Sequence, residues 1–579
     1  MIKGLDEWRS QNNMPPSEPT ASKPRKVRVL RQNQQAQQLH QQPVDPTEAI
    51  PMMYRAQVQG RCNLQYAGGN NLQGSDLEKW KTEWVRPQRN QEPSYQYQYD
   101  DLDSDHPGQS VHSFQIEFPY RVFTNSGQDS ILRPVLDVYG IPFIPGSSVK
   151  GFLRRCLYSA QFDDQQKETI KQYCGDVENP GTLRFHGAYP IGNWANRMID
   201  VVHPQQERQV QKNARTSASA LISFYQPKFV FEFSSAKLDI DWQALEQIIR
   251  QALQNGLGGK TSTGYGFASP PAYADSKQAD QEAYKVAKHI RFEGKGVSSV
   301  LLSGQPEFRP NLFKANLRGH LHRLLAGVCD SELVVKREVN RLLGGTDTEG
   351  VIQLFWDDQG TQLNLQQQSA TYEAKGTLHL AASVRAQLQD LQFAKDVLKF
   401  AYVMGGFGKS WRRVWHKDFY NPVYDQNYPR LIGCHWKATE FNDIETTQDL
   451  KEVLENLNQT CRDRLGSNPL RSLTWREAWH LERVAVYSKI VSQSQAIRLF
   501  HDETFKTTPA IGGKKPGDLR PKFVSSVWHR MLPIENNQYL EIVTVFHGDR
   551  TPWVDQLQHF VQAVKNAGLE HTWGTEPTP

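Results

Sequence analysis

The chain has 579 residues, too many for one ordinary core, and its net charge of +5 is too small to make the whole surface basic. Any site for a polyanion must therefore come from local clusters of basic residues. We find no run of about 18 apolar residues that would cross a membrane, and no apolar N-terminal segment typical of secreted proteins. The sequence thus predicts several domains in a cytoplasmic protein without a membrane partner.

The six cysteines lack the paired spacing of zinc sites and of disulfide frameworks. We therefore expect reduced thiols and no structural metal site. The cysteines are Cys62, Cys156, Cys174, Cys329, Cys434 and Cys461.

Residues 1–50 are rich in Gln, Pro and Ser and carry the basic cluster KPRKVRVLR at 23–31. This composition cannot bury enough apolar surface to fold alone, so it predicts a flexible polar and basic arm. The basic cluster is either a solvated tail or an RNA contact. Residues 51–110 mix a strand-like stretch with a short helix and are predicted to form an N-terminal extension.

Residues 111–280 alternate strand and helix patterns and are predicted to form a first domain. VHSFQIEFPYRVF alternates as a strand does, and LISFYQPKFVFEF is a second strand. IPFIPGSSVKGFLRR (141–155) turns from an apolar run into a basic helix, and DWQALEQIIRQALQN is an amphipathic helix. This order predicts an α+β domain with a ferredoxin-like, RRM-like sheet.

Two segments of this domain are candidate phosphate sites. The turn PGSSVKG opens a helix, where unpaired N–H groups and the positive dipole end suit an anion. GLGGKTSTGYG (256–266) has glycines that let a backbone approach a ligand, although a helix cap with a tight turn is the alternative. The candidate residues are Ser147, Ser148, Lys150, Arg154, Arg155, Gly258, Lys260, Thr261, Ser262 and Tyr265.

Residues 281–560 repeat the layout more loosely, which indicates an internal duplication. LFKANLRGHLHRLLAG (312–327) compares with SVKGFLRRCLYSA, and GGFGKSWRRV (405–414) compares with the first glycine-rich loop. Basic residues beside planar rings are typical of contacts with unpaired RNA, and a charged sheet edge is the alternative. The candidate residues are Lys314, Arg318, His320, Arg323, Gly406, Lys409, Ser410, Trp411 and Arg412.

The end of the chain is predicted to complete this second domain. Residues 440–503 are read as a helical insertion, and 561–579 as a C-terminal tail. RPKFVSSVWHRMLP and NQYLEIVTVF have strand character and are expected to complete the second sheet. His320 and His322 lie two residues apart, so they point to different faces of a helix and do not indicate a shared metal site.

IPFIPGSSVKGFLRR followed by GLGGKTSTGYG resembles the RAMP superfamily of CRISPR-associated proteins. The second block matches more loosely, since it lacks the Pro-Gly-Ser-Ser and Gly-Tyr-Gly elements. The resemblance implies two tandem modified ferredoxin-like RAMP domains that bind guide RNA (crRNA) in the backbone of a type III effector complex. The implied partners are crRNA, target RNA, other RAMP backbone subunits and the large polymerase-like subunit. It also implies β-hairpin thumbs within about 187–222 and 344–372.

Some members of this family cleave target RNA with an aspartate before the Pro-Gly-Ser-Ser turn, and here that loop contains Asp129 and Asp137. A carboxylate there could position Mg²⁺ or another divalent cation, or the attacking 2′-hydroxyl. The alternatives are a solvated loop residue for Asp129 and a turn residue for Asp137. The matching loop of the second block has only Glu307, so no cleavage is expected there. Two further hypotheses are a stand-alone repeat-RNA endonuclease with His416 as its base, and a scaffold that binds only protein.

Overall fold

The computed structural model describes residues 110–124, 135, 142–159, 161–192, 194, 199–202, 206–211, 219–269, 286–300, 306–345, 348–366, 369–383, 385–420, 431–465, 472–506, 508, 511, 525, 527–548 and 554–577. The predicted arm and nearly all of the extension lie outside these residues, as do Asp129 and Asp137. None of the described helices is both long and apolar enough to span a bilayer. Most of the described chain belongs to three antiparallel sheets with their helices, which we call units 1, 2 and 3.

Unit 1 covers residues 110–269 and has the strand order β1-β6-β3-β2. Its strands are β1 (Ser110–Glu117), β2 (Ile144–Pro145), β3 (Leu183–Ile191), β4 (Ile199–Val202), β5 (Ser219–Ile222) and β6 (Lys228–Ser235), and its helices are α1 (Gly146–Cys156), α2 (Asp164–Cys174), α3 (Gln206–Gln211) and α4 (Trp242–Ala252). β6 is central and almost wholly buried, which explains its continuous apolar run. β1, β3 and β6 take the first, second and third strand places of a ferredoxin-like fold. A single bridge between Phe123 and Gly259 marks the fourth.

Unit 2 covers residues 286–438. Its strands are β7 (Val286–Val297), β8 (Ser299–Val300), β9 (Pro306–Glu307), β10 (Ile352–Asp358), β11 (Gln362–Gln366), β12 (Ser369–Ala382) and β13 (Cys434–Ala438), and its helices are α5 (Asn311–Ala326), α6 (Glu332–Leu343), α7 (Leu388–Met404) and α8 (His416–Phe419). The main sheet runs β10-β12-β7-β13, all antiparallel. The chain order β7-α5-β10-β12-α7-β13 then gives the ferredoxin-like arrangement, which confirms the predicted α+β fold class.

Units 1 and 2 repeat the same path after their first helix. The second helix of each ends at a glycine with positive φ, 73° at Gly175 and 81° at Gly344. The returning chain then bonds back to that helix in the same way. The Thr182 N–H donates to the Gln172 carbonyl, and the Val351 N–H to that of Arg341, each at 3.0 Å. This repeat is the internal duplication that the sequence indicates.

Unit 3 covers residues 484–574 and differs from the prediction. A linker helix, α9 (Thr447–Leu465), precedes it. Its strands are β14 (Val484–Val491), β15 (Val527–Pro533), β16 (Tyr539–Phe546) and β17 (Glu570–Gly574), and its helices are α10 (Ile497–His501), α11 (Glu503–Lys506) and α12 (Val554–Asn566). The sheet order β15-β16-β14-β17 repeats that of unit 2, so unit 3 has the ferredoxin-like topology as well.

Three expectations about this region are therefore wrong. Residues 484–491, read as helix, are a strand, because VAVYSKIV is almost fully buried and its apolar run shows no clear period. β15 and β16 form a third sheet instead of completing the second. Residues 561–579, read as a tail, include the end of α12 and the edge strand β17, whose Trp573 is 3% exposed.

The two segments predicted to contain thumbs do contain hairpins. In unit 1, β4 and β5 form a two-stranded ribbon with α3 between them. In unit 2, β11 pairs with β12 beyond the main sheet. α3 is docked away from its own unit, since Val210 lies in the core of unit 2. The thumb role of both hairpins stays a prediction.

Candidate nucleic-acid interface

The start of α1 is an open, polar surface. Pro145 precedes the helix, and no side chain accepts from the first N–H groups of the helix. Ser147 and Ser148 lie exposed in the first turn. Gly146 is required there, because a Cβ would lie 1.8 Å from the Phe185 carbonyl oxygen. The unpaired N–H groups of this turn and its hydroxyls can donate to a phosphate.

The same helix carries its cations towards its far end. Arg154 and Arg155 lie exposed in the last turn of α1. Their positive charges there interact favourably with the negative end of the helix dipole. Lys150 is half-buried between the two ends. Together with the serines, these side chains give unit 1 a row of donors along one helix, and their contact with RNA stays a prediction.

The first glycine-rich loop, residues 256–266, is folded onto its own unit. We call it loop 1. The Gly259 N–H donates to the Phe123 carbonyl at 2.7 Å, and the Gly266 N–H to that of Arg121 at 2.8 Å. Lys260 adopts a left-handed φ of 61° and its ammonium lies 5.7 Å from the centre of the Phe123 ring. The loop is thus a tight turn after α4 and not an open phosphate cradle.

Loop 1 also packs against unit 2, and we call this contact joint 1. The Lys314 ammonium on α5 donates to the Ser262 hydroxyl at 2.5 Å. Phe267, directly after the loop, meets Phe355 of β10 with ring centres 5.1 Å apart. Tyr265 is 2% exposed. Of the five candidates in this loop, Gly258 is exposed, and Lys260, Thr261 and Ser262 are half-buried.

A buried ion pair fixes joint 1. The guanidinium of Arg121 donates twice to the carboxylate of Glu307, with both distances 2.7 Å, and once to the Ser223 hydroxyl at 2.9 Å. Arg309 lies 3.6 Å from the same carboxylate. Glu307 is 4% exposed, so its carboxylate is engaged within the protein. The absence of cleavage in unit 2 stays a prediction.

Lys314 gives joint 1 a pH dependence. Burial, with the nearby charges of Arg318 and Lys260, lowers the pKa of Lys314 from 10.5 to about 7. Between pH 7 and pH 10.5, Lys314 is protonated in the unfolded chain and mostly neutral in the folded one. The free energy of unfolding therefore rises with pH, by up to about 1.4 kcal/mol per pH unit. We expect the free energy of unfolding of the wild type, relative to Lys314→Met, to increase from about pH 7.5 to about pH 9.

The measurement is urea unfolding of both proteins across this pH range. Lys336→Met is the control, since Lys336 lies on the adjacent helix α6 and its side chain is 38% exposed. The free energy of unfolding of Lys336→Met should change with pH in the same way as that of the wild type. The same pH dependence for Lys314→Met as for the wild type would contradict the account.

The second glycine-rich loop, residues 405–413, packs against unit 3. We call these residues loop 2 and the contact joint 2. Trp411 is 4% exposed, and its ring centre lies 4.8 Å from those of both His320 and Trp528. Arg413 donates to the Val527 carbonyl at 2.7 Å and lies over the Phe500 ring at 4.6 Å. Loop 2 is therefore a buried contact between units and not a charged sheet edge.

Two arginines predicted to contact RNA lie in this core. Arg323 is fully buried, and its Nη2 donates to the Glu477 carboxylate at 2.6 Å. Arg412 is 9% exposed and donates to the same carboxylate at 2.8 and 3.0 Å. Arg476 approaches to 3.3 Å. Although burial raises the pKa of Glu477, the three arginines outweigh it and lower the pKa to about 2.

The Glu477 centre also anchors the ribbon of unit 1. Arg412 donates through Nη1 to the Gln209 side chain of α3 at 3.1 Å. The Glu477 N–H donates to the Val210 carbonyl at 2.9 Å. Four segments, α3, α5, loop 2 and the chain before unit 3, therefore meet at Glu477 and its arginine partners.

Several sequence candidates are thus structural side chains. His320 is fully buried among aromatic rings, with neither ring nitrogen hydrogen-bonded, and burial lowers its pKa well below 6.5. Arg318 donates to Asn340 and to the Gly344 carbonyl, and so stabilises the end of α6. The expected RNA contacts of His320, Arg323, Trp411 and Arg412 do not fit their burial. In loop 2, Lys409 and Ser410 are exposed while Gly406 is buried.

The sequence did not single out Glu477, Arg121 or Gln209. For Glu477 and Arg121 the available signal was a charged residue within an aromatic or strand-like stretch, WREAWHL and PYRVF, whereas Gln209 lies in a polar stretch without such a signal. A lone charge among apolar residues indicates a buried partner, but not which one.

His416, the proposed base of a stand-alone nuclease, lies away from any surface. It is 4% exposed, its Nδ1 donates to the Val414 carbonyl at 2.9 Å, and its Nε2 lies 3.1 Å from that of His501. Burial lowers its pKa from 6.5 to about 3. Such a side chain cannot reach an RNA hydroxyl from this position.

Within the described ranges, no group of three or more His, Cys, Asp or Glu side chains is placed to hold a metal ion. The five described cysteines are buried free thiols. Neither observation bears on Asp129 and Asp137, so Mg²⁺ ligands are not assigned.

Comparison with known proteins finds one family match. Residues 111–269 match the model described as RAMPs, the RAMP superfamily. No curated protein matches the sequence. Cmr1 from Pyrococcus furiosus is among the similar solved structures, with 12% identity, a TM-score of 0.34, and coverage of 50% of this chain and 99% of that chain.

Two further solved structures are similar to parts of the chain. One belongs to the type III-B Cmr-beta complex bound to cognate target RNA, at 18% identity and a TM-score of 0.25, covering 35% of this chain and 76% of that one. The other is Cmr6 from Pyrococcus furiosus, at 18% identity and a TM-score of 0.19, covering 28% of this chain and 97% of that one.

Proposed function

We propose, from the premise that residues 111–269 form a RAMP-superfamily domain, that this chain is a guide-RNA-binding subunit of a type III CRISPR effector complex. In this role it holds crRNA, and the duplex of crRNA with target RNA, beside other effector subunits in the cytoplasm. The observation that carries the proposal is the exposed row on α1 within the matched domain. Hydroxyls and N–H groups lie at one end of this row, and Arg154 and Arg155 at the other.

This row suits a nucleic-acid backbone better than a single small anion. Its donors are spread along a helix of 11 residues, about 16 Å at 1.5 Å per residue, which exceeds the size of one phosphate. Contacts of this kind fix the position of RNA without reading its sequence. The exposed Lys409 at joint 2 offers a further cation.

Cleavage of target RNA belongs to this proposal only through Asp129 and Asp137. Because both lie outside the described residues, we assign no catalytic step and no metal ligand to the chain. The stand-alone nuclease is the weaker alternative, since His416 is buried and paired.

The α1 row gives a direct test. We expect the double variant Arg154→Gln with Arg155→Gln to bind single-stranded guide RNA more weakly than the wild type. The slope of log affinity against log salt concentration is negative, and its magnitude should decrease by about 1.4, which is 0.7 for each lost phosphate contact. Filter binding of the purified chain at several salt concentrations measures both.

Lys336→Gln with Lys451→Gln is the matched control. It removes the same charge from α6 and α9, where the two lysine side chains are 38% and 47% exposed. Equal losses in the two double variants would show a non-specific charge effect and would contradict the proposed site.

A further inference from the structure

A cleft lies between the sheet of unit 2 and unit 3. Its volume is about 610 Å³, within the range of roughly 300–1,000 Å³ for small-molecule sites, which are common between domains. Unit 2 contributes the middle of β7 and β12 and the end of β13. Unit 3 contributes Pro533, Ile534 and Glu535, which lead from β15 into the turn before β16. The cleft is separate from α1 of unit 1.

The inner wall of this cleft is apolar. Phe292 of β7 and Tyr402 of α7 are 1% and 2% exposed and belong to the core of unit 2 beside the cleft. Ala438 of unit 2 and Ile534 of unit 3 are half-buried and pack against the same core. A planar ring can therefore lie against this wall and lose contact with water on one face.

The rim of the cleft carries cations. Lys375, Glu293 and Lys437 lie directly opposite one another on β12, β7 and β13. Glu293 pairs with Lys375 at 2.8 Å, whereas Lys437 is exposed and forms no ion pair with any described residue. Arg291 is 68% exposed and uses its Nε to bond to Glu440 at 2.9 Å, so the rest of its guanidinium faces outward. Lys437 and Arg291 can therefore donate to a bound anion.

A buried arginine lies behind the inner wall. Arg530 of β15 is 1% exposed and donates to the carbonyls of Tyr402 at 3.1 Å and Trp436 at 2.7 Å. Its guanidinium lies 5.2 Å from the centre of the Tyr402 ring. Within the described part of the chain, no carboxylate pairs with Arg530. A buried charge without a counter-ion is costly, so an anion bound in front of Tyr402 would reduce this cost.

Two further polar side chains line the cleft. Asn442 is an exposed amide, which can both donate to and accept from the edge of a nucleobase. Glu535 is an exposed carboxylate, and carboxylates accept hydrogen bonds from ribose hydroxyls in dinucleotide sites. The apolar wall, the cations and these two side chains thus correspond to the base, the phosphate and the ribose of one ligand.

We infer that this cleft binds a nucleotide, with its phosphate at Lys437 and Arg291 and its base against Ala438 and Ile534. The inference goes beyond the proposed contact of α1 with an RNA backbone, since it concerns a separate cleft on units 2 and 3. The ligand is either a free nucleotide or one nucleotide of a bound RNA, because both present the same base, ribose and phosphate.

Calorimetric titration of the full, RNA-free chain with AMP, GMP, CMP and UMP tests the inference. At least one of the four should bind at a single site, and Lys437→Glu should weaken this binding about tenfold or more. Lys171→Glu is the matched control, since Lys171 lies on α2 of unit 1 with a 52% exposed side chain. It should bind the nucleotide as the wild type does. Binding of none of the four, or equal affinity of the two variants, would overturn the inference.

Thr439→Trp provides a second variant. Thr439 is exposed and lines the cleft, so a bulky ring there should fill the cleft without replacing a core residue. We expect loss of nucleotide binding with a melting temperature close to that of the wild type. A folded Thr439→Trp protein that binds the nucleotide as tightly as the wild type would contradict the assigned cleft.

A guide-RNA oligonucleotide distinguishes the two sources of the nucleotide. Displacement of the mononucleotide by RNA would assign the cleft to a nucleotide of the RNA, and simultaneous binding would assign it to a free nucleotide. Arg154→Gln with Arg155→Gln should keep the nucleotide affinity of the wild type, and its loss would overturn the inference. If the wild type binds no guide RNA but still binds the mononucleotide, the proposed function fails and the nucleotide cleft stands.

Discussion

Replacing Glu477 by Gln is expected to lower the free energy of unfolding by about 3–5 kcal/mol, because removing one partner of a buried ion pair leaves uncompensated charge. Here the single carboxylate faces Arg323, Arg412 and Arg476 and is itself fully buried. The loss should be larger than for an ordinary pair, since three cations depend on one anion. Urea unfolding at neutral pH measures it.

Glu455→Gln is the control for this variant. Glu455 lies 3.9 Å from Lys451 on α9, and both side chains are about half exposed, so its loss should cost about 0.5 kcal/mol or less. A similarly small effect for Glu477→Gln would contradict the structural role of the centre. The pKa of Glu477 falls from 4.5 to about 2, so the stability it supplies is present above pH 4.5 and is lost towards pH 2.

Glu307→Gln is expected to cost about 3 kcal/mol or more at joint 1, because Arg121 would keep its buried charge without a carboxylate. Replacing both partners, as Arg121→Met with Glu307→Leu, should cost less than the sum of the single variants. The difference should be about 1–3 kcal/mol, as for residues in direct contact. Urea unfolding of Arg121→Met, Glu307→Leu and the double variant completes the cycle, and Glu307→Gln is measured beside them.

The control for this pair is a more exposed ion pair of the same type beside the sheet of unit 2. Arg291 is 68% exposed and pairs with Glu440 at 2.9 Å, so Glu440→Gln should cost about 1 kcal/mol or less. Additive losses in the Arg121 and Glu307 cycle would mean that this pair does not hold units 1 and 2 together.

Local patterns were sufficient for much of the fold. The stripe of Leu245, Ile248 and Ile249 predicts α4, and all three are buried as expected. The Pro-Gly-Ser-Ser turn predicts a helix start, which lies at Gly146. The buried stripe of α4 and the start of α1 depend on residues close in sequence, so local sequence patterns predict them.

The joints could not be predicted in the same way. Trp411 and Arg412 have the residue types that contact RNA, and only the position of unit 3 shows that they are buried against it. The strand at 484–491 was missed because a fully buried apolar run fits either a helix or a strand. Its assignment depends on pairing with β16, which lies more than 40 residues further along the chain.

The central claim, that this chain holds guide RNA, is tested most directly by the RNA that it carries. The full chain would be isolated from cells that contain a CRISPR array, and the bound RNA sequenced. The account predicts strong enrichment of array-derived guide RNA in the wild type and its loss in Arg154→Gln with Arg155→Gln. Recovery of no RNA, or of RNA with the composition of the bulk cellular pool, would contradict it.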